Sequence, residues 1–499
     1  MLRIRFERWR KVVSCGGSGP RPPRRNCASL KKESTESPPR AELATPSKTF
    51  AGQLLPPEKV VGSSFDIHCI VSSVRFVIDA AVSMRAASRV CGVLAQLAGQ
   101  PPFEEPSHTT VQNFMLRIGL YLLKRDDLRR DDWIWIADHT IGAGTTKCFI
   151  VLGITLSDSL RLNRPLEHRD LDVLALIPGE QSNGAIVYEQ LGQLIDRCGV
   201  PLAMVSDRGS DLKKGVQLLQ QDHPGVISLD DIVHLVSRLI QKILLQDSRW
   251  NEYRKACCSC ANGVRQGKLA HLKPPRPKTK ARYMNIDREV RWGARAVGVL
   301  DRVRRGELTE RQHERLPRGL IEQRLGWLDE YREAIAMWLE LSSLGQRASG
   351  VIRREGYGAN TVEAMRSELG QPKHSDSQQL VERIVEQVEP MCEASSGYAK
   401  LPGSSEVLES LIGKGKRLLG SSSNSNSLTR QVLTMVTSTA EITPELVRAA
   451  LSTCGIKHLR EWCRDYLLSG IHRDRREDLQ PTEEEQNLRN PNLTATPAF

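Results

Sequence analysis

No stretch of this 499-residue chain approaches the roughly 20 consecutive apolar residues that a membrane-spanning helix requires. The opening MLRIRFERWRKVV alternates charge too densely for a signal-peptide core, so a soluble, intracellular protein is expected. No second Cys-x-x-Cys and no His pair follows Cys257 and Cys260 in CCSC, which leaves only half of a zinc pattern. The 12 cysteines show no recurrent spacing, and reduced thiols rather than disulfides are expected. Acidic residues are the scarcer charge: 59 Asp and Glu stand against 71 Lys and Arg, a net charge of +12. Basic side chains that neutralise phosphates release counterions, so the partner this balance favours is a nucleic acid. A basic surface without such a partner is the plainer alternative.

With 39% hydrophobic and 26% charged residues the composition is that of a soluble globular protein. A prior of roughly 150 residues per domain suggests about three units. Residues 1–58 are basic and then rich in Pro, Ser and Lys, and residues 471–499 are polar; both read as disordered, since neither buries enough apolar surface to offset the entropy of ordering. Residues 59–130 read as helical. SMRAASRVCGVLAQLAG is an amphipathic segment, and GQPPFEEP breaks it. SHTTVQNFMLRIGLYLLKR then starts a new helix with Ser107 as its N-cap. On that helix Val111, Phe114, Met115, Ile118 and Leu122 share a stripe that leaves Gln112, Asn113 and Arg117 outward. A helical pair of this kind is either a helix-turn-helix presenting those three side chains to base edges, or a small supporting bundle.

A βββαβαβ series follows: WIWIADHT, TKCFIVLGITL and LDVLALIP, then PLAMVSD and GVISLDD with the helices NGAIVYEQLGQLIDRCG and SDLKKGVQLLQQD between the later strands. Short turns make hairpin neighbours and helices make parallel crossovers, so the order describes a mixed five-stranded α/β sheet of ribonuclease H-like type, with its first part at 131–245. The helical stretch 246–398 is too long for a loop and reads as an inserted domain with Trp292, Trp327 and Trp338 as core anchors. Its basic tract, with Lys273, Arg276, Lys278, Lys280 and Arg282, tracks a phosphate backbone or is simply solvated. The helices at 399–470 complete the core.

The first strand ends on Asp138 and the fourth on Asp207. Taken singly, either reads as a turn or cap residue. Side by side on neighbouring strands, some 5 Å apart, they repel unless a divalent cation lies between them. Magnesium takes one or two carboxylates and leaves positions open for phosphate and water. A third acid comes from SSEVLESLIGKGKRLLG, where Glu409 borders an apolar arc, Lys416 lies two turns below it and Glu406 points further toward solvent. In LDDIVHL, Asp231 and His234 follow the fifth strand and either serve the site or cap and pack.

Through Asp138 in IADHT, Asp207 in VSDRGSD and Glu409 in ESLIGKGK, with a basic residue seven positions on, the chain resembles a DDE transposase of the bacterial insertion-sequence type over roughly residues 65–470. About 200 residues separate Asp207 from Glu409, as in relatives with an insertion before the last acid. The tyrosine-arginine-glutamate-lysine signature of some relatives is not matched, because YREAIAMW around Glu333 has a different spacing. The resemblance implies two Mg²⁺ or Mn²⁺ ions on the three acids, cleavage of DNA at the ends of a mobile element and strand transfer into a target. It also implies a homodimer or larger synaptic assembly, cytoplasmic and nucleoid-associated in a bacterium, with Lys416 and His234 toward DNA and Asp231 as accessory. A DNA-binding protein without catalysis, and a structure-specific nuclease of the same fold, are the competing expectations.

Overall fold

The computed structural model describes residues 58–98, 105–141, 147–162, 164–179, 181–207, 209–277, 286–418 and 430–467; the expected arm before residue 58, the tail from 471, and Lys278, Lys280 and Arg282 lie outside them. Three helices lead into the sheet: α1 (Ile67–Ile78), α2 (Met84–Ala98) and α3 (His108–Lys124). Asp66 caps α1 by accepting from His68 N at 2.7 Å. Ser107 caps α3 by accepting from Thr110 N at 3.2 Å, as its place ahead of an apolar run predicts.

The sheet region then runs β1 (Trp133–Ile141), β2 (Lys147–Thr155), α4 (Leu156–Arg161), a 3-10 turn at His168–Asp170, β3 (Asp172–Gly179), α5 (Gly184–Cys198), β4 (Ala203–Ser206), α6 (Ser210–Asp222) and β5 (Ile227–Asp230). Its strand order is β3-β2-β1-β4-β5. Strands β1, β2 and β3 pair antiparallel, while β4 joins β1 and β5 joins β4 in parallel. The short β1–β2 connection leaves a hairpin as the available pairing, whereas β2 and β3 pair antiparallel across a longer connection that holds α4 and the 3-10 turn; α5 carries the chain from β3 to the far side of β1, and α6 crosses from β4 to β5. This is the ribonuclease H-like α/β arrangement that the order of elements predicts. Strand alternation divides the core: Ile134, Ile136, Ala203, Val205 and Leu229 face the larger helical side, whereas Trp135, Ala137 and Met204 face α5 and α6.

Helix α7 (Ile232–Gln246) leads into the insertion, built of α8 (Ser248–Val264), α9 (Ile286–Arg305), α10 (Glu310–Arg315), α11 (Arg318–Leu325), α12 (Arg332–Glu355), α13 (Thr361–Leu369) and α14 (Ser375–Ala394). Trp338 is fully buried among Trp250 and Tyr253, with ring centroids 4.9 and 5.1 Å away. Trp292 and Trp327 are half-buried and stack at 6.4 Å on the margin of this cluster. Cys257 and Cys260 lie buried on α8, and burial pushes the Cys257 thiol up to about 12, which suits packing rather than a thiolate ligand.

The chain closes with α15 (Glu406–Leu418), α16 (Leu433–Thr437), α17 (Pro444–Thr453) and α18 (Ile456–Tyr466). These do not stand apart from the N-terminal helices. Helix α3 packs against α2, α16, α17, α18 and β3, and Gly119 permits the approach, since a Cβ there would lie 2.2 Å from the Leu433 carbonyl oxygen. Buried residues therefore surround α3, from Val111 through Phe114–Leu120 to Leu123. This corrects the expectation for Arg117, which does not reach outward to a guanine. Its guanidinium is buried and donates to the carbonyls of Leu451 (2.6 Å), Cys454 (2.6 Å) and Gly62 (3.0 Å). Two of these acceptors end α17, where unpaired carbonyls and the helix dipole attract a cation. Gln112 and Asn113 are half-buried on the same helix. No helix among the described residues is long and apolar enough to cross a membrane.

Candidate active site

Register fixes the acids. Ala137 of β1 pairs with Ser206 of β4, and Ser206 pairs with Asp230 of β5. Asp138, Asp207 and Asp231 are each the next residue, so three carboxylates follow at one level past the ladder, on the face where α7 and α15 pack. The sequence reading brought the first two together; it left Asp231 undecided.

Asp138 and Asp207 are half-buried. Asp138 accepts from the His139 backbone N at 2.6 Å and Asp207 from Gly209 N at 2.9 Å. Burial, then the Asp207 charge beside it and more weakly Glu409, push the Asp138 carboxyl up to about 7, against the pull of the His139 N–H and of His234. The positive charge of His234 offsets only part of this burial and repulsion at Asp138.

Asp231 has a different task. It is 1% exposed, and its Oδ1 accepts from Val233 N (2.6 Å) and His234 N (3.0 Å), capping α7. Its Oδ2 accepts from Ser405 N at 2.6 Å and from the Ser405 hydroxyl, while the Ser405 carbonyl receives the N–H groups of Leu408 and Glu409 at the start of α15. Ile232 N also donates to the Gly403 carbonyl at 3.0 Å. One buried carboxylate thus ties the start of α7 to the start of α15. One turn into each helix, His234 Nε2 meets Glu409 Oε1 at 2.9 Å. That hydrogen bond, opposed by burial and aided by Asp231, raises the imidazole to about 9, so it is an imidazolium donating to the carboxylate.

On the opposite face of β1, His139 stands beside Ser182 and Asp211. The Ser182 hydroxyl donates to Asp211 Oδ2 at 2.6 Å and lies 3.1 Å from His139 Nε2, with Lys147 Nζ 3.4 Å from the same carboxylate oxygen. Because the serine proton goes straight to the carboxylate, the imidazole is no base for it and the set is not a nucleophilic triad. It pins the starts of α5 and α6 to β1. Neither this set nor Ser405 carries a motif by which sequence reasoning finds it; the Asp231–Ser405 pair spans 174 residues.

Lys416 is exposed in the last turn of α15, two turns beyond Glu409. Glu406 turns from the acids and pairs with Arg353, its Oε2 2.6 Å from Arg353 Nε. Glu333 lies in the first turn of α12 in the insertion. Lys273 and Arg276 are exposed. Chemically, Asp138, Asp207 and Glu409 form a set of hard oxygen donors suited to Mg²⁺ or Mn²⁺. Their mutual electrostatic influence, felt at Asp138, fits a cation between them. As they stand, with Glu409 turned to His234, no three His, Cys, Asp or Glu side chains among the described residues are gathered closely enough to enclose an ion.

No family model matches this chain, and no curated protein does. Among solved structures it is similar to the Drosophila P element transposase strand transfer complex, at 11% identity and a TM-score of 0.37, over 75% of this chain and 91% of that one.

Proposed function

We propose that the protein is a DDE-type transposase that cuts DNA at the ends of a mobile element and joins them to a target. The observation that carries this reading is the level placement of Asp138, within β1, and Asp207, just past the end of β4, on adjacent parallel strands, with Glu409 delivered from α15 to the same face. Asp138, Asp207 and Glu409 would hold two divalent ions, Mg²⁺ or Mn²⁺, which supply nucleophile activation and stabilisation of the departing 3'-oxygen in an in-line displacement at phosphorus. The remaining work falls to the chain itself. Asp231 ties the start of α7 to the start of α15, and His234 orients the Glu409 carboxylate. Lys416 and the exposed Lys273 and Arg276 supply positive charge for the DNA backbone. Lys278, Lys280 and Arg282 extend that charge in sequence. No side chain is required as a covalent nucleophile. Pairing two element ends calls for a homodimer or a larger synaptic assembly.

The test is incubation of the purified protein with linear duplex carrying the sequences that flank its gene, with and without Mg²⁺, followed by analysis of both nicked and joined products. Asp138→Asn and Asp207→Asn should each abolish cleavage while leaving DNA affinity intact. Cleavage without joining would identify a nuclease of the same fold. Binding without metal-dependent cleavage would leave only a DNA-binding protein.

A further inference from the structure

A second feature, which the mechanism does not use, lies on another face of α15 from Glu409. A cleft of about 500 Å³ opens between the 3-10 turn at His168–Asp170 and α15, lined by His168, Arg169, Ser410, Lys414 and Ser438. Arg417, one turn beyond Lys414 and two beyond Ser410, is exposed and acts electrostatically on both His168 and Lys414.

The charges around this cleft do not balance. Its carboxylates already have partners: Glu406 pairs with Arg353, Glu167 lies 3.7 Å from Arg164, and Asp79, which faces Lys414, pairs with both Arg75 and Arg169. Lys414 is half-buried, yet neither it nor Arg417 nor His168 has an ion pair or side-chain hydrogen bond among the described residues. Burial, and then the positive charges of Arg169 and Arg417, hold the Lys414 ammonium below its ordinary range. A cation placed in a concavity beside other cations, with every nearby acid engaged elsewhere, is stabilised by an anion. The hydroxyls of Ser410 and Ser438 add hydrogen-bonding capacity suited to phosphate oxygens.

We infer that this cleft is a DNA-backbone phosphate site, with Lys414 and Arg417 as its charged contacts and the turn at His168–Arg169 as its opposite wall. The inference rests on the proposed function for its ligand and names where that ligand runs. Lys414 follows Glu409 by five residues, so the site lies on the order of 8 Å further along the axis of α15 than the carboxylate and about 140° around it. A strand held at both points is fixed in register against the acids. Phosphate contacts position a nucleic acid without reading its sequence, so this site sets where the strand lies and not which sequence is cut.

The experiment uses the Asp138→Asn protein and a fluorescently labelled linear duplex, with anisotropy followed over a salt series in the absence of divalent ions. Adding Lys414→Gln and Arg417→Gln together should weaken binding on the order of tenfold and lower the slope of log affinity against log salt by about 2. Lys414→Arg should bind like the parent, and Arg311→Gln with Arg315→Gln on the insertion helix α10, which removes the same two charges, should change affinity far less. Because the double variant removes a half-buried stem, a second measurement is made in an otherwise parental chain: the Ser410→Cys thiol should form a disulfide by exchange with duplex carrying a mixed disulfide tethered to a backbone phosphate, releasing the small thiol. Parental affinity and slope in the double variant, or no crosslink at Ser410→Cys while the parent binds and cuts DNA, overturns the cleft and leaves the proposed function standing. A parent with no affinity for DNA overturns both.

Discussion

Asp231 and Ser405 stand 174 residues apart in the chain, and the carboxylate of the first accepts both the backbone N–H and the hydroxyl of the second. Everything inserted between β5 and α15 is spanned by this contact. Replacing Asp231 by Ala strands four donors, three of them backbone N–H groups at the starts of two helices. The expected cost is about 2–4 kcal/mol, read as a lower urea midpoint. Asp231→Asn is expected to destabilise as well, because its amide nitrogen must face an N–H on one side or the other. An Asn variant as stable as the parent would show that the contact is not holding the helices.

His234 separates orientation from DNA contact. Since it donates to Glu409, His234→Ala should lower metal-dependent cleavage on the order of 10–100-fold, with DNA affinity measured without divalent ions unchanged. A parallel fall in affinity would instead mean that the imidazolium touches the strand.

Asp138 gives a pH signature. Its carboxyl rises from an ordinary 3.8 to about 7, so between these values the folded state holds a proton that the unfolded state has released. Its contribution to stability is therefore present at low pH and lost as pH rises from about 4 to 7. A divalent ion competes with that proton. Mn²⁺ or Mg²⁺ should raise Tm at pH 8 and have little effect at pH 5.5, and Asp138→Asn should remove the difference. Equal metal stabilisation at both pH values would contradict the arrangement.

Arg117 bears on stability rather than on DNA. Arg117→Leu leaves three carbonyls without their donor and removes a charge from the end of α17. The expected loss is about 2–4 kcal/mol in chemical denaturation. DNA affinity of the folded fraction should be unaltered; weakened binding at full folding would restore the reading of α3 as a DNA-facing helix.

How much of this was legible before the fold was known follows from the range of each signal. The five strands and their crossovers are local: alternation, apolar runs and helix-forming spacers lie within a few tens of residues, and the ribonuclease H-like arrangement that this element order suggests put Asp138 beside Asp207. The N-cap at Ser107 is equally local. Arg117 misled because one helix face that looks polar in a periodic plot is covered by α17, which arrives from more than 300 residues away. An arginine stem carries no mark of whether its head meets water or carbonyls.

By itself, then, the order of residues determined a mixed sheet with two aspartates on neighbouring strands and an amphipathic helix offering a glutamate, because each depends on spacing within one element or between consecutive ones. That β1 runs on past Asp138 to Ile141 rather than ending there was not foreseen. Only tertiary structure decided that Asp231 braces α15, that His234 grips Glu409, and that Lys414 and Arg417 stand over a cleft whose acids are already engaged. Those are relations between side chains brought together by burial of separate helices, and the free energy that selects them lies in packing and desolvation across the whole core, which no local pattern encodes.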